Sequence, residues 1–351
     1  MSRLTVGIVS NLYPTKDHFN EGTFVKDLTD ALAKSGCDVR IIHYRRNFVA
    51  MYLEVLARRK QVEILDAQFV APSGVLASLT PKFCPFVVTV HRWDITDFPY
   101  RWPTSGQWTK FVLHRADGVV AVSAYIAKQT AKFADNPQKI RIIPNAVDIT
   151  RFSPSADSGN IRAQLGVSEN SFLILSVGRL HPIKGFEYLL VALREVIRRN
   201  LDVMLAIVGE GFYRTYLEYL AQTLHIRDRV RILGRVDERF LVELYSACDA
   251  FALTSLEEGH SVAITEAMAC GKPILCSDIP NNREVVVHNF NGILVSPKNA
   301  GAIASAIEVL YTSDTLREEF GANSRNRAIE KFSWDLRTRN LLDFYQSLLS
   351  V

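Results

Sequence analysis

The stretch Phe172-Leu-Ile-Leu-Ser-Val-Gly-Arg179-Leu-His-Pro-Ile-Lys184-Gly decides the fold. Phe172 to Val177 is a short, nearly unbroken apolar run without polar alternation, the pattern of a strand buried on both faces in a parallel sheet. A glycine turn follows, then Glu187 to Arg199 with helical spacing, then a second apolar run, Val203 to Val208. Strand, crossover helix and strand make the repeating unit of a doubly wound α/β domain.

The rhythm continues outward in both directions. Towards the C-terminus come a helix over Tyr213 to Leu224 and strands over Val230 to Leu233 and Ala250 to Leu253. Towards the N-terminus an equivalent set occupies Leu4 to Val9, the helix Thr23 to Lys34, Val39 to His43, Phe86 to Val90 and Gly118 to Val122. Between the sets, Ile149 to Asn160 is rich in Ser, Pro, Asp and Gly and reads as an interdomain linker. Beyond Asn299 the pattern is helical. The expected architecture is α/β, two Rossmann-like doubly wound domains facing a central cleft. They take residues 1–150 and 151–330, and a C-terminal helix at 331–351 is free to cross back to the first domain.

Bulk properties agree with a soluble two-domain protein. The chain has 351 residues, 48% hydrophobic and 22% charged, enough for two cores. No apolar run reaches membrane-spanning length, and Leu4 to Val9 reads as a buried strand instead of a signal peptide. Five cysteines, odd in number and without a C-x-x-C pair, fit a reduced cytoplasm. The net charge of +4 is uneven: residues 1–150 carry 19 Lys and Arg against 13 Asp and Glu, giving +6, and the rest carry 22 against 24, giving −2. A basic first half points to an anionic partner surface or substrate.

Chemistry is expected outside the carboxyl ends of the strands. After Ala250 to Leu253 comes Glu258-Gly259-His260-Ser261-Val262-Ala-Ile-Thr-Glu266, leading to Ala267-Met-Ala-Cys-Gly-Lys-Pro273. Gly271 and Pro273 stop a short helix over Val262 to Cys270, with Ser261 placed to cap it. The N–H groups and dipole at such a helix start suit a diphosphate. This segment resembles glycosyltransferase family four, the retaining group 1 enzymes of GT-B architecture, whose mark is two glutamates with seven residues between them followed by Ala-Met-Ala-x-Gly-x-Pro. The resemblance implies that Glu258 contacts the donor sugar and Glu266 the ribose hydroxyls, with Gly259, His260, Ser261 and Val262 around the nucleotide. The family also places an arginine and a lysine after the first strand of this domain, so Arg179 and Lys184 look like its diphosphate clamp. A planar fork and a point charge together suit a leaving diphosphate. Gly209, in the turn Ile207-Val-Gly209-Glu-Gly211, suits close backbone approach to a phosphate.

In the first half, Gly22 is one of two glycines that many family members carry in this loop, with Glu21 in place of the other. Val88-Thr-Val-His91-Arg-Trp-Asp94 resembles the family's His-Gly-x-Asp pattern, which implies that His91 contacts the donor sugar. Asp66 and Gln68 stand where family members often carry His-x-His, and Arg92 replaces a glycine. The donor half therefore keeps its pattern while the acceptor half departs from it.

The resemblance implies transfer of a hexose from a UDP-sugar or GDP-sugar to an acceptor hydroxyl on a glycan, a lipid-linked glycan or a small molecule. The anomeric configuration is retained, and the setting is cell-surface polysaccharide or glycoconjugate synthesis. No D-x-D motif, no metal, no separate cofactor and no nucleic-acid partner are expected. A sugar-nucleotide 2-epimerase of the same architecture and a non-catalytic sugar-nucleotide-binding regulator are the alternatives. Arg45, Arg46, Arg58, Arg59 and Lys60 flank the apolar Asn47 to Ala57. Basic ends around an apolar helix suit an anionic membrane face, as does ordinary packing on a sheet. The expected location is cytoplasmic, with the inner face of the membrane as a peripheral site.

Overall fold

A computed structural model describes residues 3–14, 22–43, 47–154 and 159–350, leaving aside the side chains of 159 and 160. The chain divides into two units, Met1–Asn145 with Trp334–Val351, and Ala146–Ser333.

In the first unit, β1 (Thr5–Ser10), β2 (Asp38–His43), β3 (Ile64–Gln68), β4 (Phe86–Val90), β5 (Gly118–Ala121) and β6 (Ile140–Ile142) form one parallel sheet in the order β2-β1-β3-β4-β5-β6. Alternate residues serve opposite faces: Leu65 and Ala67 of β3 pack with Val88 and Val90 of β4, while Ile64 and Val87 face the other way. That second face is covered by the helices Thr23–Lys34 and Trp334–Leu349, which contribute Leu28, Leu32, Leu341 and Phe344. The C-terminal helix is thus part of the first unit.

In the second unit, β7 (Phe172–Val177), β8 (Val203–Val208), β9 (Val230–Gly234), β10 (Ala250–Leu253), β11 (Ile274–Ser277) and β12 (Gly292–Val295) run in the order β12-β11-β10-β7-β8-β9, all parallel. Leu173 and Leu175 enter one core with Phe251 and Ile264, and Phe172 and Ile174 enter the other with Leu189 and Leu193. Burial on both faces is why the run carries no polar alternation.

Two expectations need correction. Ile149 to Asn160 is not a free linker: Phe152 is buried in the second unit's core, the partly buried Ile149 packs against it, and the helix Gly159–Gln164 begins inside the segment. The changeovers fall at 145/146 and 333/334 instead of 150/151 and 330/331. Phe152, with Ile149 packed against the same core, anchors a stretch whose Ser, Pro and Asp content otherwise reads as solvated. The apolar positions around Asn47 to Ala57 are also sorted. The helix Phe48–Arg58 buries Met51 and Val55 and exposes Phe48, Val49 and Leu53. Arg45 and Arg46 lie outside the described residues.

Candidate functional site

In the second unit the strand order reverses between β7 and β10, which are neighbours although far apart in sequence. The carboxyl ends of two such neighbouring strands are the usual ligand position of these sheets. The loops that leave them carry Arg179, Lys184 and Glu258.

The two loops are tied together. Leu256 N donates to Ile183 O at 2.8 Å and Thr254 Oγ1 to Gly185 O at 2.9 Å. Lys184 Nζ then donates to Glu258 Oε1 at 2.6 Å, and Ser255 Oγ donates to the same oxygen at 2.6 Å. Glu258 is 8% exposed, so an unpaired charge there would be costly, and two donors on one oxygen offset that cost. Oε2 has no partner among the described residues and is the oxygen left for a hydroxyl-bearing ligand. Arg179 differs: it is exposed, and no hydrogen bond or ion pair occupies its guanidinium among the described residues. Lys184 is built into the site, whereas Arg179 is available to an incoming anion.

Glu266 sits on the helix Val262–Ala269, and Tyr245 Oη donates to its Oε2 at 2.8 Å. Burial and the Glu266 charge hold the Tyr245 phenol well above its ordinary pKa, so it remains a neutral donor. Ser261 occupies the N-cap position, but its side chain makes no capping bond. The expected cap is absent, and the hydroxyl does not compete for the N–H groups of the first turn that starts at Val262. Gly259 O accepts from the buried Asn281 Nδ2 at 2.5 Å, which fixes the loop. The largely buried His260 ring lies 5.4 Å from the ring of Phe332. Gly209 has a packing reason: at φ +144°, an added Cβ would lie 1.9 Å from Gly178 O. The turn after β8 presses on the turn after β7, and that contact by itself demands glycine.

In the first unit the strand order reverses at β1 and β3, again neighbours. Gly22 opens the helix Thr23–Lys34 at φ +71°, where a Cβ would lie 2.4 Å from the Leu12 carbonyl carbon. Close approach to the loop after β1 therefore requires a glycine here, while Glu21 lies outside the described residues. His91 follows β4. The buried Asp94 accepts from His91 N at 3.0 Å and Val70 N at 3.1 Å, pinning two loops, and burial raises its carboxyl to about 6. The His91 ring is flanked by Phe24 at 5.1 Å and Phe69 at 4.5 Å, with Nε2 3.3 Å from Gln68 Oε1. Burial, reinforced by the charge of Arg337, lowers His91 to about 3, so it is neutral at physiological pH. Arg92 is paired with Asp97 at 3.0 Å. Among the described residues no three His, Cys, Asp or Glu side chains gather as a metal-ligand set. The five cysteines are free and buried.

Lys184 and Glu258 are thus brought together, Glu266 is held nearby in sequence on its own helix, and His91 belongs to a separate cluster in the first unit. Sequence reasoning missed Ser255, Tyr245 and Asn281, and noted Gln68 only as a departure. Ser255, three residues before Glu258, carries a local signal; the others act across the fold and carry none.

The chain matches two family profiles, "Glycosyltransferase Family 4" over residues 43–151 and "Glycosyl transferases group 1" over residues 157–327. It is 32% identical over 237 residues to an uncharacterized glycosyltransferase of Methanocaldococcus jannaschii, covering 66% of this chain and 60% of that one. It is 33% identical over 214 residues to the Escherichia coli UDP-Gal:alpha-D-GlcNAc-diphosphoundecaprenol alpha-1,3-galactosyltransferase, covering 60% and 54%. The matched stretch therefore spans less than two thirds of either relative. Among solved structures, sucrose-phosphate synthase from Thermosynechococcus elongatus superposes with a TM-score of 0.83 at 22% identity, covering 99% of this chain and 100% of that one. Anabaena HepE in complex with UDP-glucose gives 0.82 at 22% identity, with coverage of 99% and 100%. At that identity the likeness concerns the fold. With two six-stranded parallel sheets, both profiles in chain order and glycosyltransferase relatives, the chain belongs to the group 1 family of GT-B glycosyltransferases.

Proposed function

We propose that the protein transfers a hexose, with retention of anomeric configuration and without a metal, from a UDP- or GDP-sugar to a hydroxyl of a glycan, lipid-linked glycan or small molecule. The observation that carries this reading is the arrangement after β7 and β10: Glu258 with Oε1 neutralised by Lys184 and Ser255 and Oε2 left open, with Arg179, exposed and unpaired among the described residues, in the same turn as Lys184. Glu258 Oε2 accepts from sugar hydroxyls, Glu266 accepts from the ribose, and Arg179 and Lys184 take the diphosphate with the start of the helix Val262–Ala269. In the reaction the acceptor oxygen bonds to the anomeric carbon as the bond to the diphosphate oxygen breaks. The departing phosphate, on the same face, takes the acceptor proton. Preorganised cations are suited to the charge that develops on it. The relatives support the donor class, since one is named as a UDP-galactose enzyme acting on a diphosphoundecaprenol lipid.

Thermal unfolding with UDP, GDP and their sugars tests this reading, because a ligand of the folded state raises its stability. One nucleotide series should raise Tm in a concentration-dependent way. No shift with any uridine or guanosine compound would remove the donor assignment. Release of an epimerised sugar without acceptor would instead identify a 2-epimerase.

Peripheral attachment to an anionic membrane is the second part of the proposal. Phe48, Val49 and Leu53 are exposed on the helix Phe48–Arg58. Leu79 and Phe83 are exposed after the helix Val75–Ser78, which packs against it, and Lys60 lies over the Phe83 ring at 4.6 Å. Apolar side chains beside a cation suit the interface of an anionic bilayer. Among the described residues no helix is long and apolar enough to cross a membrane. The protein should float with vesicles containing anionic lipid at low salt, and Phe48→Ser with Leu53→Ser should stay in the unbound fraction. No flotation of the unaltered chain would rule the attachment out.

A further inference from the structure

The face of the first unit's sheet beneath the C-terminal helix changes character along the strands. At the amino ends it is apolar, with Ile64 and Val87 in the core. Two residues further on, the same face carries Asp66 and Thr89, and then Gln68 and His91. Asp66, Gln68 and Thr89 are each no more than 1% exposed. A buried polar row is expensive unless its members satisfy one another.

Here they largely do. Thr89 Oγ1 donates to Asp66 Oδ1 at 3.0 Å, and Tyr345 Oη, from the helix Trp334–Leu349, donates to Asp66 Oδ2 at 2.7 Å. The Asp66 carboxyl is raised to about 6 by burial, while the Tyr345, Thr89 and Gln68 side chains and the charge of Arg337 favour its ionised form. Arg337, on the same helix and 4% exposed, donates to Ile143 O at 2.8 Å. Gln68 Nε2 is buried and makes no hydrogen bond, and Asp66, two residues before it on the same face of β3, carries a carboxylate that an amide N–H can face and an amide oxygen cannot. The reverse orientation would set carbonyl oxygen against carboxylate. Gln68 Oε1 is thereby directed at His91 Nε2, 3.3 Å away. An oxygen accepts only, so Nε2 must carry the proton and Nδ1 keeps its lone pair. Phe24 and Phe69 restrain the ring, and Nδ1 has no partner among the described residues.

The geometry points to Gln68, oriented by the Tyr345–Asp66 pair, as a positioning residue that fixes His91 in the Nε2-protonated tautomer and leaves Nδ1 to accept a hydrogen bond from a hydroxyl of the sugar substrate. This rests on the reading of His91 as a sugar-contacting residue. It adds which nitrogen does the contacting, what partner it selects and what sets it. A neutral Nδ1 acceptor takes a hydroxyl and rejects a phosphate oxygen, so His91 serves the sugar and not the diphosphate. The C-terminal helix supplies Tyr345 and so takes part in the site although it does not line it.

Histidine-selective 15N labelling of the full chain tests this, with the His91 signal assigned through His91→Ala. The unaltered protein should show His91 as the Nε2–H tautomer, uncharged down to about pH 5. In Gln68→Met, close in volume and unable to accept from the ring, the signal should move to a mixture or to the Nδ1–H form. Turnover should fall roughly tenfold, the worth of one hydrogen bond, with the KM for the donor little changed. If Gln68→Met does not fold, Gln68→Leu takes its place. A folded Gln68→Met or Gln68→Leu protein with the original tautomer overturns the proposal, even where His91→Ala still abolishes turnover. If the tautomer moves but neither His91→Ala nor the Gln68 variants alter turnover, the sugar contact by Nδ1 is overturned together with the reading of His91 on which it rests.

Discussion

Arg179→Ala should lower turnover of sugar transfer by about 10²- to 10³-fold while leaving the melting temperature unchanged. The fold has no use for this guanidinium: it is exposed and unpaired among the described residues, and it follows β7 with the neighbouring backbone already secured by Leu180 N donating to Glu210 O at 2.8 Å. Exposed residues without partners contribute little to stability. A charge partner felt mainly as the diphosphate departs acts on the transition state, and removal of one such donor from a preorganised site commonly costs two to three orders of magnitude in kcat. Steady-state kinetics with the nucleotide sugar identified by thermal shift, alongside a melting curve, measures both quantities. An Arg179→Ala protein with ordinary kcat would exclude this arginine from the chemistry.

Lys184→Ala should behave differently, losing activity and stability together. Its Nζ is 2.6 Å from Glu258 Oε1, with the side chains 17% and 9% exposed. Removing one member of a buried pair leaves the other desolvated and uncompensated, which costs about 3 kcal/mol. For a domain of this size that corresponds to a fall in Tm of roughly 6–12 °C. Ser255 still donates to the same carboxylate oxygen and limits the loss. The double variant Lys184→Met with Glu258→Gln removes both charges and should recover most of the stability while remaining inactive. That recovery separates damage to the fold from damage to catalysis. If the single and double variants melt together, the pair is not what holds these loops.

The contrast between the two cations shows where sequence reading reaches its limit. Arg179 and Lys184 are five positions apart in one turn and look equivalent as a clamp. Only the fold reveals that one is committed to a carboxylate 74 residues away and the other is not.

Strands buried on both faces announce themselves, because nearly every position is apolar. Phe172–Val177, Val203–Val208 and Phe86–Val90 are therefore legible to the residue, as is the helix Thr23–Lys34. β3 is not, because Asp66 and Gln68 interrupt its pattern. β6, β11 and β12, three or four residues long, are not among the strands expected from the pattern. The group 1 resemblance likewise rests on contiguous motifs, and the matched profiles agree with it.

By itself, then, the sequence determined the two doubly wound sheets, the family, and the segments around Arg179, Lys184, Glu258 and Glu266, since each is encoded in residues adjacent along the chain. Tertiary structure alone decided that Ser261 leaves its helix uncapped, that the His260 ring is buried against Phe332, and that Gly209 answers to Gly178. It also joined Tyr345 to Asp66, 279 residues apart. The physical reason is that a hydrogen bond's partner, and the burial that gives it weight, depend on which strands become neighbours. At the order reversals between β7 and β10, and between β1 and β3, those neighbours are not consecutive in the chain.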